Sequence, residues 1–166
     1  MADDCYRDVA AIAAAKGARL VVDTSGATLA ATLAGGGVHL AKPSLGEFRV
    51  LTGLPLETHD AIEAEAHRRV MDGLCDILAV TMGHEGAILA TRETTLRLTP
   101  PAVPVRSAVG AGDSFLGAMT LALARGETAE DAFRHGMAAG TAAVMTPGTE
   151  LCDVTEVARL YAAMAG

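Results

Sequence analysis

The strongest constraint on the fold is an alternation. Three short apolar runs, each closed by a turn signal, alternate with longer helix-like segments. Leu20-Val21-Val22-Asp23 runs into Thr24-Ser25-Gly26. Val38-His39-Leu40-Ala41-Lys42 stops at Pro43, and Ile77-Leu78-Ala79-Val80-Thr81 stops by Gly83. Helical segments are expected from Asp8 to Lys16, Ala27 to Ala34, Leu45 to Leu51 and His59 to Asp72. Strand, helix, strand in that order implies right-handed crossovers and a parallel sheet. The runs are apolar on both faces, as when helices cover both sides. The expected class is therefore α/β.

After Gly86 the pattern changes. Ala87 to Ala90, then Arg92-Glu93-Thr94, then Leu96-Arg97-Leu98 reads as a hairpin. Pro100, Pro101 and Pro104 mark an extended linker. From Asp113 onward the chain reads as helices: Phe115 to Ala124, Thr128 to about Met145, and Asp153 to Met164. Thr128 with Asp131, and Asp153 with Glu156, look like N-terminal caps three residues long. Three parallel strands and a hairpin make a small sheet for so many helices, so the chain reads as part of a larger unit.

Composition excludes several functions. The 166 residues carry 13 Lys and Arg against 20 Asp and Glu, a net charge of −7. No basic field is available to hold a polyanion, and with 3% aromatics there is no stacking platform for single strands. Nucleic-acid binding is not expected. A small phosphorylated ligand is compatible, because backbone N–H groups can bind it locally. Apolar stretches such as Val9 to Ala15 are too short to span a bilayer, and no signal peptide is visible. Cys5, Cys75 and Cys152 form no CxxC pair and no disulfide framework, so a cytoplasmic setting is expected.

The segment richest in chemistry is Ser107-Ala108-Val109-Gly110-Ala111-Gly112-Asp113-Ser114-Phe115. Gly110 and Gly112 permit positive φ and close backbone approach. The N–H groups from Gly110 to Asp113, opening a helix, would converge on one point outside it and form an anion hole. Asp113 at its mouth can accept a proton from an attacking hydroxyl. The same residues also read as an ordinary helix start, with Asp113 only a first-turn carboxylate. A dinucleotide fingerprint would need glycine where Phe115 stands. A P-loop would need Gly-Lys-Ser/Thr, which is lacking.

Val109-Gly110-Ala111-Gly112-Asp113-Ser114-Phe115 with Gly117-Ala118 resembles the C-terminal signature of the PfkB family of carbohydrate kinases. Val22 to Gly26, Lys42-Pro43 with Glu47, Thr81-Met82-Gly83 with Gly86-Ala87, and Ala138-Ala139-Gly140 with Pro147-Gly148-Thr149 fall in the order of that family's blocks. The Gly148 to Cys152 ending is most similar to the 6-phosphofructokinase members. The resemblance spans the whole chain but only half of such a kinase. It implies a ribokinase-like three-layer α/β sandwich, of which residues 1–166 form the C-terminal ATP-binding and catalytic half.

The resemblance also implies roles. Asp113 would be the catalytic base, with Gly110, Ala111 and Gly112 forming the anion hole. Lys42 would meet an ATP phosphate. Thr81, Gly83 and Gly86 would contact the nucleotide, as would Ser44, which stands where the family usually has Asn. Glu47 would hold Mg²⁺ through water, and the Ser44 substitution puts that network in question. Backbone carbonyls of Ser107, Val109, Ala143, Thr146, Gly148 and Glu150 would hold a monovalent cation, K⁺. Residues Ala138 to Ala143 would line an adenine pocket. His84 reads as an ordinary exposed turn histidine. The implied reaction is phosphoryl transfer from ATP to a sugar phosphate, foremost fructose 6-phosphate to fructose 1,6-bisphosphate. Fructose 1-phosphate, tagatose 6-phosphate and ribose stay open. The implied partners are the N-terminal half, carrying sugar site and lid, and a second copy in a homodimer. The alternative is a nucleotide-binding or self-associating module without catalysis.

Overall fold

The structure, a computed structural model, describes residues 5–148 and 150–164. In chain order, α1 is Cys5–Ala15, β1 Leu20–Val22, α2 Gly26–Ala34, β2 Val38–Ala41, α3 Leu45–Thr52 and α4 His59–Met71. Then come β3 Ile77–Thr81, a 3₁₀ turn Gly83–Glu85, β4 Ala87–Ala90 and β5 Thr95–Leu98. Helices α5 Ala111–Ala124, α6 Ala129–Ala143 and α7 Val154–Met164 complete the chain. Every expected strand and helix is present. The largest shift is in α5, which begins at Ala111 rather than Phe115, so Asp113 lies inside the first turn.

The five strands form one sheet in the order β1-β2-β3-β4-β5. β1 pairs parallel to β2 with Leu20 opposite Val38 and Val22 opposite Ala41. β2 pairs parallel to β3 with Leu40 opposite Ile77. Sequential parallel strands joined by helices are what short βα crossovers produce. β2, β3 and β4 are almost wholly buried, whereas Leu20 and Val21 of β1 and all of β5 are not.

The chain divides into two compact units. One holds the residues up to 82 and takes back Ile88–Arg97; the other is Gly83–Ala87 with the residues from Leu98 on. The core of the first joins Val22, Leu29, Leu33, Val38, Phe48, Ile62, Val70, Leu78, Val80 and Ile88. Phe48 is fully buried, and removing a side chain of that size from water is worth about 3 kcal/mol. Local signals end the helices cleanly. Thr58 accepts the Ala61 N–H at the start of α4, and Gly53 in the left-handed region (φ +69°) closes α3. Glu65 is buried within α4. Burial alone would raise its pKa, but the guanidiniums of Arg68 and Arg69, both hydrogen-bonded to it at 2.7 Å, outweigh this and hold it below the ordinary carboxylate value.

In the second unit α6 packs on α5 and α7. A Cβ at Gly136 would lie 3.0 Å from the Phe115 carbonyl oxygen, and one at Gly140 3.1 Å from that of Ala111. The two glycines are what let α6 approach the first turn of α5. Phe115 meets Phe133 edge to face, with ring centroids 5.8 Å apart. Ala138, Ala142 and Leu160 join α6 to α7. Met119, Leu123 and Met137 are buried and Met145 is partly buried. Both expected caps form: Thr128 accepts the Asp131 N–H, and Asp153 accepts those of Thr155 and Glu156. At the base of the hairpin, Gly86 has φ +103°, and a Cβ there would sit 1.9 Å from the Leu98 carbonyl oxygen. Only glycine fits. No helix among the described residues is long and apolar enough to cross a membrane.

Candidate functional site

In the first unit the expected residues gather where parallel strands end, the usual place for ligands in such sheets. Register explains the gathering. Val22 lies opposite Ala41, so the next residue on each strand, Asp23 and Lys42, are neighbours. The Lys42 N–H donates to the Val22 carbonyl at 3.2 Å. The Lys42 ammonium lies 3.1 Å from Asp23 Oδ2, with Lys42 buried and Asp23 about one-third exposed at 32%. A cation this buried needs a counter-charge, and Asp23 supplies it. An ammonium has three N–H donors, so the pairing leaves donors for a phosphate oxygen. Sequence reasoning missed Asp23 as the partner of Lys42. The signal was available: opposite charges one residue past the ends of adjacent parallel strands.

Ser44 stands at the start of α3 and closes a reciprocal cap with Glu47. Its N–H and its hydroxyl donate to Glu47 Oε2 at 2.7 and 2.9 Å, and its Oγ accepts the Glu47 N–H at 3.3 Å. Glu47 is half-buried and held by one carboxylate oxygen. The other oxygen is the one that could meet a hydrated cation. Ser44 also forms a parallel bridge with Thr81, whose N–H donates to the Pro43 carbonyl at 3.0 Å. Lys42, Ser44, Glu47 and Thr81 therefore share one neighbourhood at the ends of β2 and β3.

The second unit holds the glycine turn. Gly110 has φ +79° and caps α5, which is where a left-handed residue is required. Gly112 does not use the positive φ open to it. It lies in the first turn of α5 with helical geometry. The Ser114 N–H makes the first helical bond, to the Gly110 carbonyl at 2.8 Å. The Ala111 N–H is partly engaged by the Ala108 carbonyl at 3.4 Å. Within a helix the N–H groups of Gly112 and Asp113 have no carbonyl to meet, so they form the open end of the hole. Asp113 is exposed in the same turn. The positive end of the helix favours an anion placed there.

Beside that turn the end of α6 and the loop after it arrange backbone carbonyls. The Thr146 hydroxyl lies 2.8 Å from the Ala143 carbonyl and 3.1 Å from that of Glu150. One proton serves two acceptors, so the two oxygens converge on one point. The Arg106 and Ser107 N–H groups both donate to the Val144 carbonyl, at 2.7 and 3.3 Å. This sets the start of the glycine loop against the end of α6. The Val109 N–H donates to Ser107 Oγ. Ser107, Val109, Ala143, Thr146 and Glu150 are thus brought into one region, with Gly148 in the connecting loop at φ +61°. Thr149 lies outside the described residues. Convergent carbonyls suit a weakly hydrated monovalent cation and need no side-chain ligand. Among the described residues, no group of three or more His, Cys, Asp or Glu is placed to hold a metal ion. Gly83 and Gly86 bracket the 3₁₀ turn after β3, with His84 exposed between them as expected. Ala138, Ala139, Ala142 and Ala143 are buried in α6 and pack between helices. Cys75 is chemically quiet: burial, helped by Asp76, pushes its thiol up to about 12.

A parallel βα sheet with a glycine turn opening onto a helix and its aspartate defines an α/β protein of the ribokinase-like class. The family model for "pfkB family carbohydrate kinase" matches residues 1–156, and the chain belongs to that family. It is 39% identical over 147 residues to the ATP-dependent 6-phosphofructokinase isozyme 2 of Escherichia coli, covering 89% of this chain and 48% of that one. It is 38% identical to a 1-phosphofructokinase of Xanthomonas campestris, over 73% of this chain and 39% of the relative. Among solved structures, phosphofructokinase-2 from Escherichia coli in complex with potassium matches with TM-score 0.95 and 35% identity, over all of this chain and 54% of that one. Ribokinase from Arabidopsis thaliana, complexed with ribose and ATP, matches with TM-score 0.82 and 25% identity, over 96% of this chain and 52% of that one. The chain spans about half the length of the curated relatives it matches.

Proposed function

We propose that this chain is the ATP-facing, catalytic half of a sugar-phosphate kinase, with Asp113 as the general base. The observation that carries the reading is the start of α5. There an exposed carboxylate and the unbonded N–H groups of Gly112 and Asp113 occupy one helical turn. Phosphoryl transfer needs little covalent help and mostly positioning and charge stabilisation. Asp113 takes the proton from the acceptor hydroxyl as the hydroxyl oxygen attacks the terminal phosphorus of ATP and the bond from that phosphorus to the bridging oxygen breaks, releasing ADP. The N–H groups at the helix start stabilise charge on the transferring oxygens. Such a base contributes about 10²–10⁴-fold to the rate.

Lys42, held by Asp23, supports a nucleotide phosphate, and Ser44, Thr81, Gly83 and Gly86 provide the nucleotide contacts. Mg²⁺, when bound, neutralises phosphate charge. Glu47 fits that role through water, because Ser44 engages only one of its oxygens. K⁺ would be held by backbone carbonyls of this region, where the Thr146 hydroxyl brings those of Ala143 and Glu150 close together, in keeping with the potassium complex of the Escherichia coli relative.

Fructose 6-phosphate is the favoured acceptor, since relatives named 6-phosphofructokinase match over 89% and 97% of this chain. Sugar recognition belongs to the complementary half, which would also complete a homodimer. A coupled ADP-release assay of the assembled enzyme, run with fructose 6-phosphate, fructose 1-phosphate, tagatose 6-phosphate and ribose, tests the reading. The highest kcat/KM is expected for fructose 6-phosphate. Preference for fructose 1-phosphate would reassign the substrate, and no turnover with any sugar would favour a binding module.

A further inference from the structure

Resting on the reading that backbone carbonyls around the end of α6 take a monovalent cation, we infer that the Thr146 side chain is the positioning residue of that site. Its hydroxyl ties the Glu150 carbonyl to the end of α6, and the affinity for K⁺ depends on that tie. The carbonyls are backbone atoms, common to every residue type. A side chain that fixes their spacing is not, so Thr146 is the position at which the sequence tunes the site.

Two loops meet the end of α6, and each is fastened differently. The glycine loop is fastened by backbone alone: the Arg106 and Ser107 N–H groups donate to the Val144 carbonyl at 2.7 and 3.3 Å. The loop from 146 to 150 is fastened by a side chain. Thr146 Oγ1 lies 2.8 Å from the Ala143 carbonyl and 3.1 Å from that of Glu150. Ala143 is the last residue of α6, so the helix already holds its carbonyl. Glu150 lies in the exposed stretch ahead of α7. Its N–H reaches the Pro147 carbonyl at 3.3 Å, which closes a turn inside the loop and does not join it to the helix. The bond from Thr146 to the Glu150 carbonyl is what registers the loop against α6.

The Thr146 backbone is anchored as well. Its own N–H donates to the Ala143 carbonyl at 3.2 Å, so the hydroxyl starts from a fixed point on the last turn of the helix. Beyond it, Gly148 at φ +61° helps turn the chain back, which brings Glu150 within reach. A carbonyl oxygen has two lone pairs, so the Glu150 oxygen can accept the Thr146 proton and still face a cation. Ligand atoms held in place beforehand lose less freedom on binding, which raises affinity. Valine keeps the branched shape of threonine and lacks the hydroxyl, whereas serine keeps the hydroxyl and lacks the branch. The two substitutions therefore separate the hydrogen-bonded tie from simple packing.

The test is made on the assembled enzyme without substrates. Tm is followed as KCl replaces choline chloride at constant ionic strength, since a cation that binds the folded state raises Tm with its concentration. Tl⁺, read by thallium NMR, is a second probe that does not depend on unfolding. Thr146→Val should need about tenfold more KCl than the parent for the same rise in Tm, and should bind Tl⁺ about tenfold more weakly, as expected for one lost hydrogen bond. Thr146→Ala, which also lacks the hydroxyl, should weaken Tl⁺ binding alike. Thr146→Ser should stay within about threefold of the parent. Thr146 is only half-buried, so the variants should keep the circular dichroism of the parent. A valine variant as responsive as the parent, or a serine variant as weak as the valine one, would overturn the role of Thr146 and leave the cation reading intact. A parent that shows neither a K⁺-dependent rise nor Tl⁺ binding would overturn the cation reading and this inference with it.

Discussion

At the scale of the residue, the exchange of one side chain is informative. The family resemblance sets Asn where this chain has Ser44, and the shorter side chain raised the question of how Glu47 is held. In the structure Ser44 both donates to the Glu47 carboxylate and accepts its N–H. Serine thus serves as a cap and a clamp. Ser44→Ala should destabilise the protein by about 1 kcal/mol, the ordinary worth of such a cap. Ser44→Asn, also a good cap, should recover most of that loss. Urea unfolding of the three proteins checks this, and an alanine variant as stable as the parent would show that the cap contributes nothing. The Asp23–Lys42 pair shows why residue-scale reading falls short. Lys42 was legible as a strand-end cation, but its partner depends on the register of β1 against β2, which one sequence does not state.

At the scale of the element, periodicity was enough. Short apolar runs became β1, β2 and β3, and the caps at Thr128 and Asp153 formed where the side chains predict them. The start of α5 was the exception. Two glycines before a helix permit two residues of unusual φ, and one left-handed residue at Gly110 suffices to turn the chain. Gly112 then continues the helix. What the pattern could not reveal is that α6 also shapes this turn, since that depends on a contact between helices. Gly140 sits against the Ala111 carbonyl, and a Cβ there would be only 3.1 Å from it. Gly140→Val should therefore push α6 off the first turn of α5. We expect turnover to fall at least tenfold, with a Tm loss of several degrees, consistent with overpacking costs of about 1–3 kcal/mol. Unchanged turnover would mean that the turn is positioned independently of α6.

At the scale of the whole molecule, the chain spans about half the length of the relatives it matches. The acidic balance also makes sense at this scale. On the proposed reading, backbone N–H groups at a helix start meet phosphate charge locally, so no basic surface is required. The central claim is that Asp113 removes the proton from the sugar hydroxyl. Steady-state kinetics of Asp113→Asn in the assembled enzyme test it most directly. The account predicts a kcat lower by at least about 100-fold with the KM for ATP little changed. A kcat within a few-fold of the parent would contradict it.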